Sequence, residues 1–254
     1  MKTMIFAAGM GTRLKPLTDR MPKALVPVCG KPLIEHVARK LHDAGFGQAV
    51  VNVHHFADMV EDWISRQDWM DFQVSDERKL LLETGGAVLH AKRFLEGCGS
   101  FLVHNVDIFT NADLRWFAGE HRPDALATLL VSPRKTSRYF LFRPSDMRLA
   151  GWTNTVTGET LMADPSVNPS ECLSLGFSGI HIMSDTIFPL MEEYVNKTGI
   201  PTNGDAGARF SIKDFYLHAA ASHPIYGVNL ESFRMLDVGK LDTLDRAEEF
   251  INSL

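Results

Sequence analysis

The residues whose types and spacing favour phosphate chemistry lie close to the start of this chain. Residues 7–23 read AAGMGTRLKPLTDRMPK and follow a short apolar run. Gly9 and Gly11 carry no side chains, so backbone N–H groups here can approach phosphate oxygens. Arg13 and Lys23 supply two cations that can neutralise phosphate charge. The stretch predicts a site that holds a cofactor or reacts with a triphosphate; the structural alternative is a βα turn with surface cations.

Two standard phosphate-binding motifs fit this stretch poorly. The dinucleotide fingerprint G-x-G-x-x-G needs a third glycine for close helix packing, and Leu14 stands there. It also needs an acidic residue near the end of the second strand, where residues 52–55 read NVHH. Pro16 disfavours an immediate long helix, and no G-K-[ST] follows Gly11 as in a Walker A motif. These mismatches weaken the hypothesis that the chain is an NAD-binding oxidoreductase.

A longer pattern around these residues resembles the signature of a known enzyme family. The chain carries A-A-G-x-G-T-R-L-x-P-L-T at 7–18, P-K-A-L-x-P at 22–27 and G-K-P-L-I-E at 30–35. Together these segments resemble the sugar-1-phosphate nucleotidyltransferases, which make nucleoside-diphosphate sugars from a nucleoside triphosphate and a sugar 1-phosphate. The resemblance implies an α/β fold, a Rossmann-like three-layer sandwich with a mixed, mostly parallel central sheet.

The resemblance assigns nucleotide and catalytic roles to individual residues. The segment LLETGGA resembles the family segment whose glycines approach the nucleobase, where a Cβ would block hydrogen bonds to the backbone. The alternative for these glycines is a turn or cap before a helix. Arg13 and Lys23 are the expected catalytic residues. The expected nucleotide-binding residues are Ala7, Ala8, Gly9, Gly11, Thr12, Arg13, Gly85 and Gly86.

The resemblance also implies a Mg²⁺ site built from two aspartates. Family members carry an Asp at the end of a central strand, and VHNVDIF places Asp107 there, after Val106 where glycine is common. A second Asp belongs to a D-x-G-x-x-x-x-L pattern, which LDVGKLDTL matches with Asp237. A lone Asp at a strand end more often caps a turn or helix, and we expect that of Asp113.

The sugar-binding half departs from the family pattern. FSGIHI resembles the segment that lines the sugar pocket, with Ser178 and Gly179 near the substrate, and we also place Asn105 there. Many relatives carry Glu-Lys-Pro before that segment, and this chain has no such motif. GWTNTVTGE occupies the region, so Asn154 and Glu159 are candidate sugar contacts. The residue that replaces the phosphate-binding Lys stays open.

The substrates follow from the same comparison. The compact length and the missing Glu-Lys-Pro make the chain more similar to the small uridylyltransferases of muramate recycling than to the glucose-1-phosphate thymidylyltransferases. We therefore expect UTP and N-acetylmuramate 1-phosphate, in cell-wall recycling. GTP with mannose or heptose 1-phosphate is the alternative. A catalytically silent nucleotide-sugar sensor is a hypothesis of another class; loss of Arg13, Lys23 or either aspartate would favour it, and all four are present.

The implied reaction is attack by a sugar-phosphate oxygen on the α-phosphorus of the triphosphate, with departure of pyrophosphate. The nucleophile is already an anion, so no general base is required. The enzyme must instead bring two polyanions together and stabilise charge. Arg13 would bind the triphosphate and the leaving pyrophosphate. Lys23 would hold the attacking and α-phosphates close, and Mg²⁺ on Asp107 and Asp237 would bridge both substrates.

The elements that position these residues are expected as βαβ units in the first half of the chain. Apolar runs predict strands at 3–7, 48–53 and 100–106, the last with Asp107 at its carboxyl end. After the two glycines, residues 87–95 show a helical pattern. Further helices are predicted at 33–41, 57–65, 112–120, 185–194 and 212–221, and further strands at 71–74, 125–131, 173–183 and 223–229.

One nucleotidyltransferase domain over 1–254 is expected. Its nucleotide-binding half covers about 1–131 and its sugar-binding half about 132–254, and the sequence shows no hexapeptide array of a left-handed β-helix domain. The glycine-rich loop at 196–211 could act as a lid.

Composition excludes several other classes of function. The net charge is −5 and no basic block occurs, so we expect no nucleic-acid partner. No apolar stretch approaches the length of a membrane span, and we expect no membrane partner. Cys29, Cys98 and Cys172 are far apart and fit reduced thiols in a cytoplasmic protein. The sequence gives no indication of the oligomeric state.

Overall fold

The apolar runs form strands and the amphipathic runs form helices in the computed structural model of the chain, which describes residues 1–230 and 232–253. Within these residues the strands are β1 Lys2–Phe6, β2 Pro27–Val28, β3 Lys31–Pro32, β4 Gln48–Val53, β5 Asp71–Asp76, β6 Ser100–Asn105, β7 Ile108–Thr110, β8 Ala127–Ser132, β9 Arg138–Phe142, β10 Leu149–Asn154, β11 Thr160–Met162, β12 Leu173–Ser184, β13 Ile225–Asn229 and β14 Met235–Asp237. The α-helices are α1 Leu33–Asp43, α2 Ala57–Ser65, α3 Glu83–His90, α4 Lys92–Leu95, α5 Leu114–Gly119, α6 Ile187–Thr198, α7 Ile212–Ala220 and α8 Leu241–Asn252.

One large mixed sheet organises the molecule. Its strand order is β11-β10-β9-β12-β6-β1-β4-β5, with β8 also on β12 and β13 beyond β8. The β6-β1-β4-β5 block is parallel, as is the β8–β13 pair. The long strand β12 is antiparallel to β6, β8 and β9 and joins the two parts of the sheet. The predicted α/β class and mixed sheet are confirmed.

Helices cover both faces of this sheet. Consecutive residues of β1 point to opposite faces, and Met4 and Ile5 belong to two separate buried clusters. The Met4 cluster includes side chains of α3, α6 and α7, whereas the Ile5 cluster includes α1, α2, α5 and α8. The result is the three-layer arrangement predicted from the sequence. Among the described residues, no helix has both the length and the apolar character that crossing a membrane requires.

The parallel block fixes where a ligand can bind. The carboxyl ends of β1, β4, β5 and β6 lie at one edge because these strands are parallel neighbours. Ligands of open α/β sheets bind outside that edge. The predicted glycine loop follows β1 and Asp107 follows β6, so both lie at this edge.

Some local predictions are confirmed and one is wrong. Asp113 caps α5, because its carboxylate accepts from the N–H groups of Arg115 and Trp116 at 2.9 Å. Short 3₁₀ turns replace a long helix around Pro16, as expected. The helix predicted at 87–95 instead starts at Glu83, which places the two glycines in its first turn, and α3 ends before α4 begins.

Candidate active site

The loop after β1 is shaped by Gly11. Its φ of +61° is left-handed, and a Cβ there would lie 2.7 Å from Thr18 Cγ2 and 3.0 Å from Lys23 Cβ. The Thr18 hydroxyl donates to the Gly11 carbonyl oxygen at 2.8 Å. At the start of the loop the Ala7 N–H donates to Asn52 Oδ1 at 2.7 Å. The glycine therefore lets the loop close over Thr18 and the stem of Lys23.

Lys23 and Asp107 meet at the carboxyl ends of the parallel strands. Lys23 lies in a short 3₁₀ turn, and its ammonium donates to Asp107 Oδ2. Only 11% of the lysine side chain and 14% of the aspartate side chain are exposed. Both line a cavity of about 260 Å³, which we call the loop cavity. Its lining residues are Phe6, Ala8, Gly9, Lys23, Asn52, Leu81, Glu83, Thr84, Asn105, Val106 and Asp107.

Asp237 is brought to Asp107 by a small two-stranded sheet. β14 pairs antiparallel with β7, with Asp237 opposite Ile108, and the Val238 N–H donates to the Asp107 carbonyl oxygen at 2.8 Å. Desolvation by the surrounding protein, together with the Asp107 carboxylate, raises the pKa of Asp237. The two aspartates predicted from separate motifs are thus neighbours.

Arg13 completes this group through Gly239. A Cβ on Gly239 would lie 2.6 Å from Asp237 Oδ1 and 2.7 Å from Arg13 Nη2, so carboxylate and guanidinium crowd the same bare backbone position. Any side chain at Gly239 would displace one of them. The structure therefore brings both predicted cations and both predicted aspartates together, and Lys23 and Asp107 of this group line the loop cavity.

The donor set at this point fits a magnesium ion. Mg²⁺ prefers oxygen ligands and usually binds through one or two carboxylates together with substrate phosphates. Asp107 and Asp237 supply such carboxylates from neighbouring backbone positions, since β14 pairs with β7 directly after Asp107. Within the part of the chain that the structure describes, no group of three or more acidic, His or Cys side chains forms a complete metal cage. The site fits an ion that takes its remaining ligands from substrates; binding itself stays a prediction.

Gly85 and Gly86 have a packing role in the structure. Both N–H groups donate to the Phe210 carbonyl oxygen, at 2.9 and 3.1 Å. A Cβ on Gly86 would lie 2.0 Å from the Ala208 carbonyl oxygen, and one on Gly85 would lie 2.5 Å from the Phe210 ring. The glycines thus let residues 208–210 lie directly on α3. Their contact with a nucleobase stays a prediction.

A buried polar chain behind the loop cavity was missed at the sequence level. The Asn52 amide, which accepts from Ala7, donates to Glu77 Oε1 at 2.8 Å, and the Leu82 N–H donates to Glu77 Oε2 at 3.2 Å. Glu77 is 2% exposed, and burial raises its pKa to about 7. The chain connects the glycine loop to the turn before α3. No motif around Glu77 distinguishes it from the charged residues that follow β5.

A second cavity of about 550 Å³ lies over β9, β10 and the start of α7; we call it the Trp152 cavity. Asn154 and Glu159 line it, as the sequence predicted for sugar contacts. Three cations that sequence reasoning missed also line it: Arg134, Arg138 and Lys213. No spacing rule links these cations, because they come from separate segments of the chain.

Two further predicted sugar contacts, Ser178 and Gly179, occupy structural positions in β12. Ser178 is 1% exposed, and its hydroxyl donates to the Leu130 carbonyl oxygen at 2.7 Å. Gly179 has a φ of +79°, and a Cβ there would lie 2.6 Å from Asn105 Nδ2. The glycine therefore makes room for Asn105, which lines the loop cavity. Sugar contacts by Ser178 and Gly179 stay predictions.

Comparison with known proteins places this arrangement in a family. Residues 2–140, more than half of the chain, match the family model described as nucleotidyl transferase, so the chain belongs to that family. The matched segment contains the glycine loop, Lys23 and Asp107. The family predicted from the signature is confirmed.

Two curated relatives and one solved structure show which members of the family the chain is similar to. The chain is 47% identical over 108 residues to the N-acetylmuramate alpha-1-phosphate uridylyltransferase of Caulobacter vibrioides, covering 41% of this chain and 44% of that protein. It is 40% identical over 115 residues to the protein of the same name from Neisseria meningitidis, covering 44% of this chain and 49% of that protein. The matches span about half the length of these relatives. The solved inositol-1-phosphate CTP transferase from T. maritima, 13% identical, superposes with a TM-score of 0.76 over 99% of this chain and 94% of its own, which shows a shared fold.

Proposed function

We propose that this protein transfers a uridylyl group from UTP to a sugar 1-phosphate, with N-acetylmuramate 1-phosphate as the acceptor and pyrophosphate as the second product. Family membership and the names of the two uridylyltransferase relatives support this proposal. The observation that carries it is the meeting of Lys23 with Asp107 in the loop cavity. The product would be a nucleoside-diphosphate sugar of the kind used in cell-wall recycling.

The chemistry needs positioning more than proton transfer. The oxygen of the sugar phosphate is an anion at neutral pH, so it attacks the α-phosphorus without a general base. The barrier comes from bringing two polyanions together and from charge that grows on the transferred group. In this proposal the Lys23 ammonium contacts both phosphates, and its low exposure strengthens its electric field.

Arg13 acts on the other side of the transferred group. Its guanidinium lies beside Gly239 and Asp237, at the end of the glycine loop whose N–H groups face the triphosphate in this proposal. A planar guanidinium can donate two hydrogen bonds to phosphate oxygens, which suits the binding of the departing pyrophosphate.

Asp107 and Asp237 would hold a Mg²⁺ ion, which when bound supplies positive charge shared between the two substrates. Without a cation, the two carboxylates would repel the incoming phosphates. The Lys23 ammonium already offsets part of this charge through its contact with Asp107. The same contact fixes the direction of the lysine side chain toward the cavity.

Pyrophosphate release tests the proposal. The protein is assayed with UTP, GTP, dTTP and CTP, each with N-acetylmuramate, N-acetylglucosamine, mannose and heptose 1-phosphates, with MgCl₂ or with EDTA. We expect release with UTP and N-acetylmuramate 1-phosphate, and its loss in EDTA. Release with GTP and a mannose or heptose phosphate would replace the base and sugar assignment. No release with any pair, while nucleotides still raise Tm, would support a silent nucleotide-sugar sensor instead.

A further inference from the structure

The Trp152 cavity carries more positive charge than a neutral sugar requires. Arg134, Arg138 and Lys213 line it, whereas Glu159 is the one carboxylate among its described lining residues. Apolar walls, Trp152 among them, surround these charges. Charged groups near apolar walls are costly to desolvate unless an opposite charge joins them. The lining therefore favours an occupant with more than one anionic group.

Arg134 is held by β12, the strand that also contacts Asn105 of the loop cavity. Its Nη2 donates to the Phe177 carbonyl oxygen at 2.9 Å, while its Nε is buried and has no hydrogen-bond partner within the described residues. Phe177 stands two residues before Gly179, whose Cβ would lie 2.6 Å from the loop-cavity residue Asn105. The guanidinium is thus anchored to the strand that borders the loop cavity, and it keeps an unused donor.

Arg138 and Lys213 lie elsewhere on the wall. Arg138 begins β9 and has no ion-pair partner in the described part of the chain. The Lys213 ammonium lies 4.5 Å from the centroid of the Trp152 ring and 2.6 Å from Asp214 Oδ1. An ammonium has three N–H donors, so Lys213 keeps donors for a ligand.

We propose that Arg138 and Lys213 form a subsite for a carboxylate carried on the sugar, while Arg134 binds the sugar 1-phosphate. This inference rests on the proposed function, because it divides the acceptor of that reaction between the cations. Arg134 would supply the positive charge that the lysine of a Glu-Lys-Pro motif, which this chain lacks, would otherwise give to the sugar phosphate. A guanidinium and an ammonium pair with a carboxylate through strong charge-assisted hydrogen bonds.

The chemistry of the acceptors gives a matched test pair. N-acetylmuramate 1-phosphate is N-acetylglucosamine 1-phosphate with an added lactyl ether, which ends in a carboxylate. Glucuronic acid 1-phosphate and glucose 1-phosphate form a second pair, with the carboxylate on the ring carbon instead. In each pair the acid carries one more anion than its partner, so the loss of its preference on removal of a cation reports on the carboxylate subsite.

Calorimetric titration measures binding of these four compounds in the presence of a non-hydrolysable UTP analogue and MgCl₂. We expect wild-type protein to bind N-acetylmuramate 1-phosphate at least about 10-fold more tightly than its neutral partner, the effect of one good charged hydrogen bond. Arg138→Gln and Lys213→Gln should each reduce this ratio by about 10-fold. Arg134→Gln should weaken both members of a pair equally. Lys135→Gln removes an exposed cation next to Arg134 that does not line the cavity, and should keep the wild-type ratio.

Each result decides one way. Three results would overturn the subsite. The first is equal binding of acid and neutral sugars, and the second is equal weakening of both by Arg138→Gln and Lys213→Gln. The third is no binding of any sugar phosphate. A larger preference within the glucuronic acid pair would support the subsite and assign it to a uronic acid. Pyrophosphate release, followed in parallel, keeps the two proposals apart. A preference for the acid sugar without turnover overturns only the proposed reaction, and turnover without any preference overturns only the subsite.

Discussion

The Lys23 ammonium and the Asp107 carboxylate form an ion pair between two segments 84 residues apart, and both side chains are largely shielded from water. Lys23 lies in the loop region after β1 and Asp107 follows β6, so the ion pair connects this loop region to the carboxyl end of β6. Removing one partner of a shielded pair leaves the other charge poorly solvated. Substitutions at either position therefore report on stability as well as on chemistry, and the two effects have to be measured separately.

The Asp107→Asn variant should lose nearly all turnover while it still folds. The asparagine amide keeps an oxygen that can accept a hydrogen bond from Lys23. It lacks the negative charge with which Asp107 pairs with Lys23 and would bind a metal ion. Pyrophosphate release measures turnover, and urea denaturation measures the free energy of unfolding. Asp113→Asn is the matched control: asparagine also caps helices, and Asp113 lies outside the loop cavity. Full activity in Asp107→Asn would show that the metal assignment is wrong.

Arg13→Ala should lower kcat by about 10²–10³, the usual cost of removing one group that stabilises charge in the transition state. The guanidinium lies beside Asp237 in the structure and is exposed, so the free energy of unfolding should change little. Steady-state kinetics with varied UTP give kcat and KM. Arg20→Ala removes an exposed arginine from the same segment and should leave both unchanged. A rise in KM with unchanged kcat would mean that Arg13 only binds the substrate.

Gly86→Ala should destabilise the protein by about 1–3 kcal/mol, because a new methyl group forces the backbone to move. Its Cβ would lie 2.0 Å from the Ala208 carbonyl oxygen, closer than any real contact. Gly119→Ala is the control, since nothing lies within 4 Å of that Cβ. Denaturation in urea compares the two variants. Equal free energies of unfolding would show that residues 208–210 do not pack on α3 as described.

The sequence predicted the parts of this site that form local patterns. The glycine loop, Lys23 and Asp107 lie in or next to single motifs, and the periodicities place the main strands and helices within a few residues. Asp237 was found because its motif is also local, although β14 is what brings it to Asp107.

What the sequence missed depends on pairing between distant segments. Arg134 and Lys213 share a cavity because β9, β10 and α7 pack together, and isolated cations form no pattern along the chain. The glycines of α3 were interpreted through their neighbours in sequence, whereas their closest contacts are Ala208 and Phe210. Glu77 was missed for the same reason, since Asn52 reaches it from another strand.

Glu77 should give the stability of the protein a specific pH dependence. Burial raises its pKa from an ordinary 4.5 to about 7 in the folded protein, so the folded state binds a proton that the unfolded state has released between these values. A state that binds more protons is favoured at low pH, so this group's contribution to the free energy of unfolding falls as pH rises through that window. The loss is on the order of 3 kcal/mol, because one pKa unit corresponds to about 1.4 kcal/mol.

Glu77→Gln removes this titration and keeps the shape of the side chain. The amide cannot accept from both Asn52 and the Leu82 N–H, so a constant destabilisation is expected at every pH. The informative quantity is the difference in free energy of unfolding between variant and wild type, measured in urea from pH 5 to about 8. Buried His104, whose pKa burial lowers to about 4, titrates alike in both proteins and cancels from that difference. We expect the difference to move in favour of the variant as pH rises, whereas Glu248→Gln, at an exposed position of α8, should give a flat line. A flat line for Glu77→Gln as well would show that Glu77 is ionised across this range, and that the buried chain from Ala7 to Leu82 carries a permanent charge.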